Sequence, residues 1–114
     1  MDNRISDKDL EFVNGGVNNS EEAISGAIDS LRKAVATCAQ LQVLSTFFEP
    51  KISGCIQRLQ SCNGDYIAIR DVRDELSHIK SALDCDINHL SDDAEQRIYG
   101  DVHSFLTKAI NQLS

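Results

Sequence analysis

The sequence predicts an all-α fold, an antiparallel up-down bundle of three to four helices. Three observations lead to this prediction. Apolar residues recur at intervals of three and four along most of the chain, which places them on one face of a helix. No segment alternates apolar and polar residues with a period of two, so we expect no β-sheet. Aromatic residues make up only 5% of the chain, so aliphatic side chains must build the core, as helices favour.

Size and charge narrow the function. The 114 residues suit a single domain. The net charge of −7 and the lack of a basic stripe argue against a nucleic-acid partner. The longest uncharged run, residues 34–48, is shorter than the roughly 20 apolar residues of a membrane-spanning helix. The N-terminus also lacks the continuous apolar stretch of a Sec-type signal.

The first helix is predicted to begin after Asn19, because Asn19 and Glu22 have the spacing of a capping box. An acidic first turn at Glu21 and Glu22 suits the positive end of the helix dipole. One face then carries the apolar residues Ile24, Ala27, Ile28, Leu31, Ala34, Val35, Cys38, Leu41 and Leu44.

Pro50 is the main ambiguity in this element. Proline usually stops a helix at or before the preceding residue. The apolar face nevertheless continues in phase through Phe48 and Ile52 to Leu59. We therefore expect one long first helix that is kinked near Pro50, and a break there into two helices is the alternative.

The remaining helices have clearer boundaries. Asn63-Gly64 is a stop signal, and Asp65 can cap the next helix. Asp92 and Glu95 have capping-box spacing at the start of the last helix. The two apolar faces comprise Ile69, Val72, Leu76, Ile79, Leu83, Ile87 and Leu90, then Ile98, Val102, Phe105, Leu106, Ala109, Ile110 and Leu113. Short connections make these helices antiparallel neighbours.

A short motif precedes the predicted bundle. It consists of an aliphatic–serine pair, an acidic–leucine pair, an aliphatic residue and two glycines, at Ile5, Ser6, Asp9, Leu10, Val13, Gly15 and Gly16. In residue types and spacing it resembles the double-glycine leaders of bacteriocin and microcin precursors. The departures are conservative, with isoleucine, aspartate and valine where leucine, glutamate and isoleucine are commoner. The resemblance covers residues 1–16 only.

The resemblance implies a partner and a cleavage site. Such leaders dock as a short helix on the cysteine-peptidase domain of an ABC exporter, and the glycines, which lack Cβ atoms, let extended backbone enter a narrow cleft. Cleavage would follow Gly16 and release a protein that starts at Val17. We thus predict a leader at residues 1–16, a flexible joint at 17–20 and a helical bundle domain at 21–114. A helix of no special purpose, ended by Asn14-Gly15, is the alternative for the first segment.

Four cysteines leave the redox state open. Cys38 and Cys85 come level if the first helix runs past Pro50, whereas Cys38 meets Cys62 if the chain folds back there. Export favours a disulfide, and we predict Cys38–Cys85, with buried thiols as the alternative. Cys55 and Cys62 lie about 10 Å apart along a helix and cannot bridge each other.

Other candidate sites are weaker. Cys85 and His89 are one helical turn apart, but no CxxC or HExxH motif accompanies them, so we predict no metal and no cofactor. No phosphate loop or nucleophile–base signature is present, so we predict no enzyme activity. Gly26, Ser30 and Ala34 form a ladder of small residues that permits close helix packing. Self-association, or insertion of this helix into a membrane, is the alternative for that ladder.

The functional expectation is an exported cargo, synthesised in the cytoplasm and then secreted. A bacteriocin- or microcin-like toxin, or another intercellular effector, is the role that the leader suggests, with an unknown target protein or membrane receptor. The charge argues against the toxin role, because such toxins are commonly cationic and residues 17–114 carry a net charge of −5. The alternative is a cytoplasmic interaction module, such as an immunity protein, a secretion chaperone or an adaptor.

Overall fold

A computed structural model describes residues 17–114 of the chain, and these residues form five helices and no strand. The helices are α1 (Glu21–Cys38), α2 (Gln42–Phe47), α3 (Glu49–Ser61), α4 (Tyr66–Ile87) and α5 (Asp93–Gln112). The predicted all-α class is confirmed for this part of the chain. The helix count is higher than the predicted three to four, because the segment before Pro50 supplies a separate short helix, α2.

The four longer helices pack as a ring. Helix α1 contacts α3 and α5, and α4 contacts the same two helices, whereas no Cα atom of α1 lies within 8 Å of a Cα atom of α4. The residue before α1 meets the turn after α3, where Asn19 Nδ2 donates to the Gly64 carbonyl at 2.8 Å. Asn18 N–H likewise donates to the carbonyl of Leu113, directly after α5, at 2.7 Å. Neighbours in the ring are thus antiparallel, as predicted.

The core lies along the axis of this ring. Buried residues on α4 and α5 follow one another at alternating steps of three and four, which is the spacing of helices that cross at about 20°. They are Ile69, Val72, Leu76, Ile79 and Leu83, then Tyr99, Val102, Leu106, Ala109 and Leu113. Helix α1 contributes the smaller Ala23, Ala27 and Ala34, and it makes the most extensive helix contact, with α5. Small side chains let these two helices approach closely.

The prediction of one long helix through Pro50 is wrong. Helix α1 ends at Cys38, and the chain reverses over residues 39–41, where Leu41 adopts an extended conformation. The phase continues through Pro50 because only Phe48 separates α2 from α3, so Leu44, Phe48 and Ile52 share one buried face. Pro50 lies in the first turn of α3, where its missing N–H costs no hydrogen bond.

The helix ends are mostly where the sequence places them. The carboxylates of Asp65 and Asp92 accept from Ile67 N–H at 3.0 Å and Ala94 N–H at 2.8 Å, so both predicted caps are confirmed. The turn after α3 uses left-handed backbone at Gly64, also as predicted. At α1 the cap is Ser20, whose Oγ accepts from Ala23 N–H at 3.2 Å, and not the predicted Asn19.

Candidate functional site

The leader residues lie outside the described part of the chain. They are Ile5, Ser6, Asp9, Leu10, Val13, Gly15 and Gly16. Val17, the predicted first residue of the released protein, is described, and its half-buried side chain packs against the hydrophobic core. The candidate site therefore reaches the folded bundle directly at the residue after the predicted cut.

Residues 17–19, which we call the anchor, are attached to the end of the bundle at three points. The Val17 side chain packs on the core, the Asn18 N–H donates to the Leu113 carbonyl, and the Asn19 side chain donates to the Gly64 carbonyl. The Asn18 side chain in turn accepts from Ser20 N–H at 3.1 Å, which ties the anchor to the cap of α1. These contacts were not expected from the predicted flexible joint at residues 17–20.

The acceptor at Leu113 is itself well positioned. The Leu113 side chain is fully buried, and its N–H donates to carbonyls in the last turn of α5. Next to it, Gln112 lies across α1, where its Oε1 accepts from Ser30 Oγ at 3.0 Å. Gly26 makes room for this side chain, since a Cβ at Gly26 would lie 2.7 Å from Gln112 Nε2. The anchor therefore rests on a packed junction between α1 and α5.

The small residues of α1 belong to this junction. Ser30 and Ala34 are buried, and Gly26 and Ser30 meet Gln112 on α5. Their location matches the interpretation as close packing within the bundle. Self-association and membrane insertion of α1 stay predictions.

A groove of about 650 Å³ opens between α1 and the end of α3, beside Asn19. Its apolar lining residues are Ile24, Ile28, Leu59 and Cys62. Asp29 and Arg32 are the oppositely charged residues on its α1 side. The Cys62 thiol donates to the Leu59 carbonyl at 3.1 Å, and no histidine lines the groove. The groove thus has no base beside its thiol with which to activate a nucleophile.

The predicted Cys38–Cys85 disulfide is absent from the structure, in which all four thiols are free. Cys38 is buried on α1 and Cys85 is exposed on α4. These helices lie diagonally across the ring, and their Cα atoms are more than 8 Å apart, beyond the 4.4–6.8 Å that a disulfide usually spans. The alternative partner, Cys62, lies at the opposite end of the bundle from Cys38. The buried-thiol interpretation fits Cys38, Cys55 and Cys62.

Reactivity separates these thiols. Burial, with a smaller effect of Glu49, raises the pKa of Cys38 from 9.0 to about 11. Burial and then Glu75 raise the pKa of Cys55 to about 11. Because the thiolate is the reactive form, both thiols stay protonated and slow to react well above pH 9.

We expect a thiol reagent at pH 8 to modify the folded protein once, at Cys85, and the unfolded protein four times. Intact mass measured over time, with and without denaturant, checks this count. The Cys85→Ser variant should lose the fast modification. Fast labelling of the buried Cys38 or Cys55 in the folded state would contradict the described core.

The histidines do not assemble a metal site in the described residues. No three His, Cys, Asp or Glu side chains come together there as a metal-binding group. His103 on α5 instead pairs with Asp84 on α4, with Nε2 and Oδ1 2.9 Å apart. The pair links two neighbouring helices of the ring.

Two observations concern surfaces. Val43, Phe47, Tyr66 and Ile67 are the large apolar side chains exposed in the described part of the chain. Val43 and Phe47 lie on α2, at the end of the bundle opposite the anchor. Within residues 17–114, no helix combines the length and apolar character that a membrane crossing requires.

The anchor is the feature that sequence reasoning missed. Asn18 and Leu113 are distant in sequence, so no local pattern pairs them. The available signal was Val17, a single apolar residue within a polar run. Comparisons with protein-family models, with curated proteins and with solved structures gave no match.

Proposed function

We propose that the chain is the precursor of a secreted helical protein. A peptidase-containing ABC exporter recognises residues 1–16, cuts after Gly16 and exports the bundle that begins at Val17. The observation that carries this proposal is the double-glycine motif, with seven matching residues that end four residues before the cap of α1. In this function the chain is a substrate, and the catalytic residues belong to the exporter.

The position of the motif relative to the bundle supports the proposal. Only Val17, Asn18 and Asn19 lie between Gly16 and Ser20, where α1 is capped. A cut after Gly16 therefore removes no part of the five helices. The released protein would keep Val17, which packs on the core, and the whole described bundle.

The exported protein is proposed to act as an intercellular effector, of which bacteriocin- and microcin-like toxins are one class. Its net charge of −5 favours a protein target or receptor over direct binding to anionic membrane surfaces. This charge distinguishes it from cationic peptides that act by adsorbing to lipid.

Intact-mass analysis of culture supernatant and cell lysate tests the proposal. We expect the supernatant of a producing strain to contain a species that starts at Val17, and the lysate to contain the full-length precursor. A strain without the exporter should hold only the precursor, inside the cell. Full-length protein confined to the cytoplasm of the producing strain would contradict the proposal and favour a cytoplasmic interaction module.

A further inference from the structure

We propose that the anchor controls cleavage, so that the bond after Gly16 is cut only when residues 17–19 detach from the bundle. This inference rests on the proposed function and assigns its regulation to residues in the described structure. The anchor holds the first residues after the cut by one side-chain packing contact and two hydrogen bonds to the ends of other elements.

The short distance between the cut and the bundle is the first argument. A peptidase cleft must hold extended backbone on both sides of the bond that it cuts. Three residues separate Gly16 from Ser20, and three extended residues span only about 10 Å. An enzyme positioned on the bond after Gly16 would therefore meet the ends of α3 and α5, which surround the anchor.

The contacts themselves are the second argument. Val17 and Asn18 would occupy the two positions directly after the cut. The Asn18 N–H is already bonded to Leu113 and the Val17 side chain is packed on the core, so neither is free to pair with an enzyme. Each hydrogen bond shifts the equilibrium against opening by about fivefold. Two such bonds and the packing of Val17 should slow cleavage by roughly 30-fold or more.

The first measurement compares the full chain with a synthetic peptide that spans residues 1–24. Both carry the same motif and the same residues after the cut, but the peptide has no bundle to hold the anchor. A purified double-glycine peptidase domain is used, and cleavage after Gly16 is followed by mass. We expect the peptide to be cut roughly 30-fold faster than the folded chain.

The second measurement loosens the anchor within the full chain. Inserting Gly-Ser-Gly-Ser between Val17 and Asn18 keeps the residue after the cut and moves the bundle away from it. We expect this variant to be cut nearly as fast as the peptide. The matched control carries the same insertion between Asn88 and His89, in the turn between α4 and α5 at the other end of the bundle, and should be cut as slowly as the unaltered chain.

A point substitution provides an independent test. Asn19→Ala removes the bond to the Gly64 carbonyl and should speed cleavage of the full chain by about fivefold. The same substitution in the peptide should change nothing, which separates loosening of the anchor from recognition by the enzyme. Thermal unfolding of each full-length variant verifies that the bundle is folded.

The outcomes separate the inference from the function on which it rests. Equal rates for the peptide and the unaltered chain would overturn the inference and leave the proposed function standing. A slow chain that neither the insertion nor Asn19→Ala accelerates would also overturn it, because the anchor would then not be the barrier. If double-glycine peptidases cut neither the chain nor the peptide, the proposed function fails and the inference with it.

Discussion

A precursor in which leucine replaces both Gly15 and Gly16 is expected to stay at full length and inside the producing cell. Glycine is the residue whose backbone can pass through a cleft too narrow for a Cβ. Leucine at these positions would displace the scissile bond from the attacking thiolate, and a displacement of about 1 Å costs roughly 100-fold in rate. Export should fall with cleavage, because the uncut leader keeps the precursor on the exporter.

The measurement is the ratio of the species starting at Val17 to the full-length chain, in supernatant and lysate. Gly100→Ala is the matched glycine substitution, since a Cβ at Gly100 on α5 meets no atom within 4 Å. That variant should be cut and exported normally. Unimpaired export of the double leucine variant would count against the leader, provided that its thermal unfolding matches that of the unaltered chain.

The sequence predicted those parts of the fold that depend on neighbouring residues. Asp65 and Asp92 cap their helices as expected, because a cap needs only a carboxylate and the amides two or three residues later. The reversal after α1 was missed because residues 39–41, Ala-Gln-Leu, contain neither glycine nor proline. Cys38, Leu41 and Leu44 also stay in helical phase across it by coincidence, so periodicity does not reveal the break.

The candidate site shows the same division. The leader motif is a linear pattern, and its spacing can be read without a structure. The anchor depends on Asn18 meeting Leu113 and Asn19 meeting Gly64, contacts that exist only after α1, α3 and α5 have packed. The disulfide prediction failed for a related reason. Cys38 and Cys85 are level along the bundle axis but lie on helices that face each other diagonally, and that order in the ring is not a local property.

Truncating Phe48 is expected to destabilise the bundle far more than truncating its neighbour Phe47. Phe48 is 7% exposed and lies between Leu44 and Ile52 on the buried face that joins α2 to α3, whereas Phe47 is 63% exposed. Phe48→Ala leaves a cavity and should lower the free energy of unfolding by about 3–5 kcal/mol. For a domain of this size, that lowers the melting temperature by roughly 12 °C or more.

Phe47→Ala is a closely matched control, because it removes the same atoms one residue away on the same connection. We expect it to change the free energy of unfolding by less than about 1 kcal/mol. Denaturant titrations of both variants at two protein concentrations give the comparison. A larger cost at Phe47 than at Phe48 would contradict the packing of α2 and the reversal at residues 39–41 that sets it. A cost at Phe47 that appears only at high protein concentration would instead show that a second copy covers α2, because an intramolecular contact does not depend on concentration.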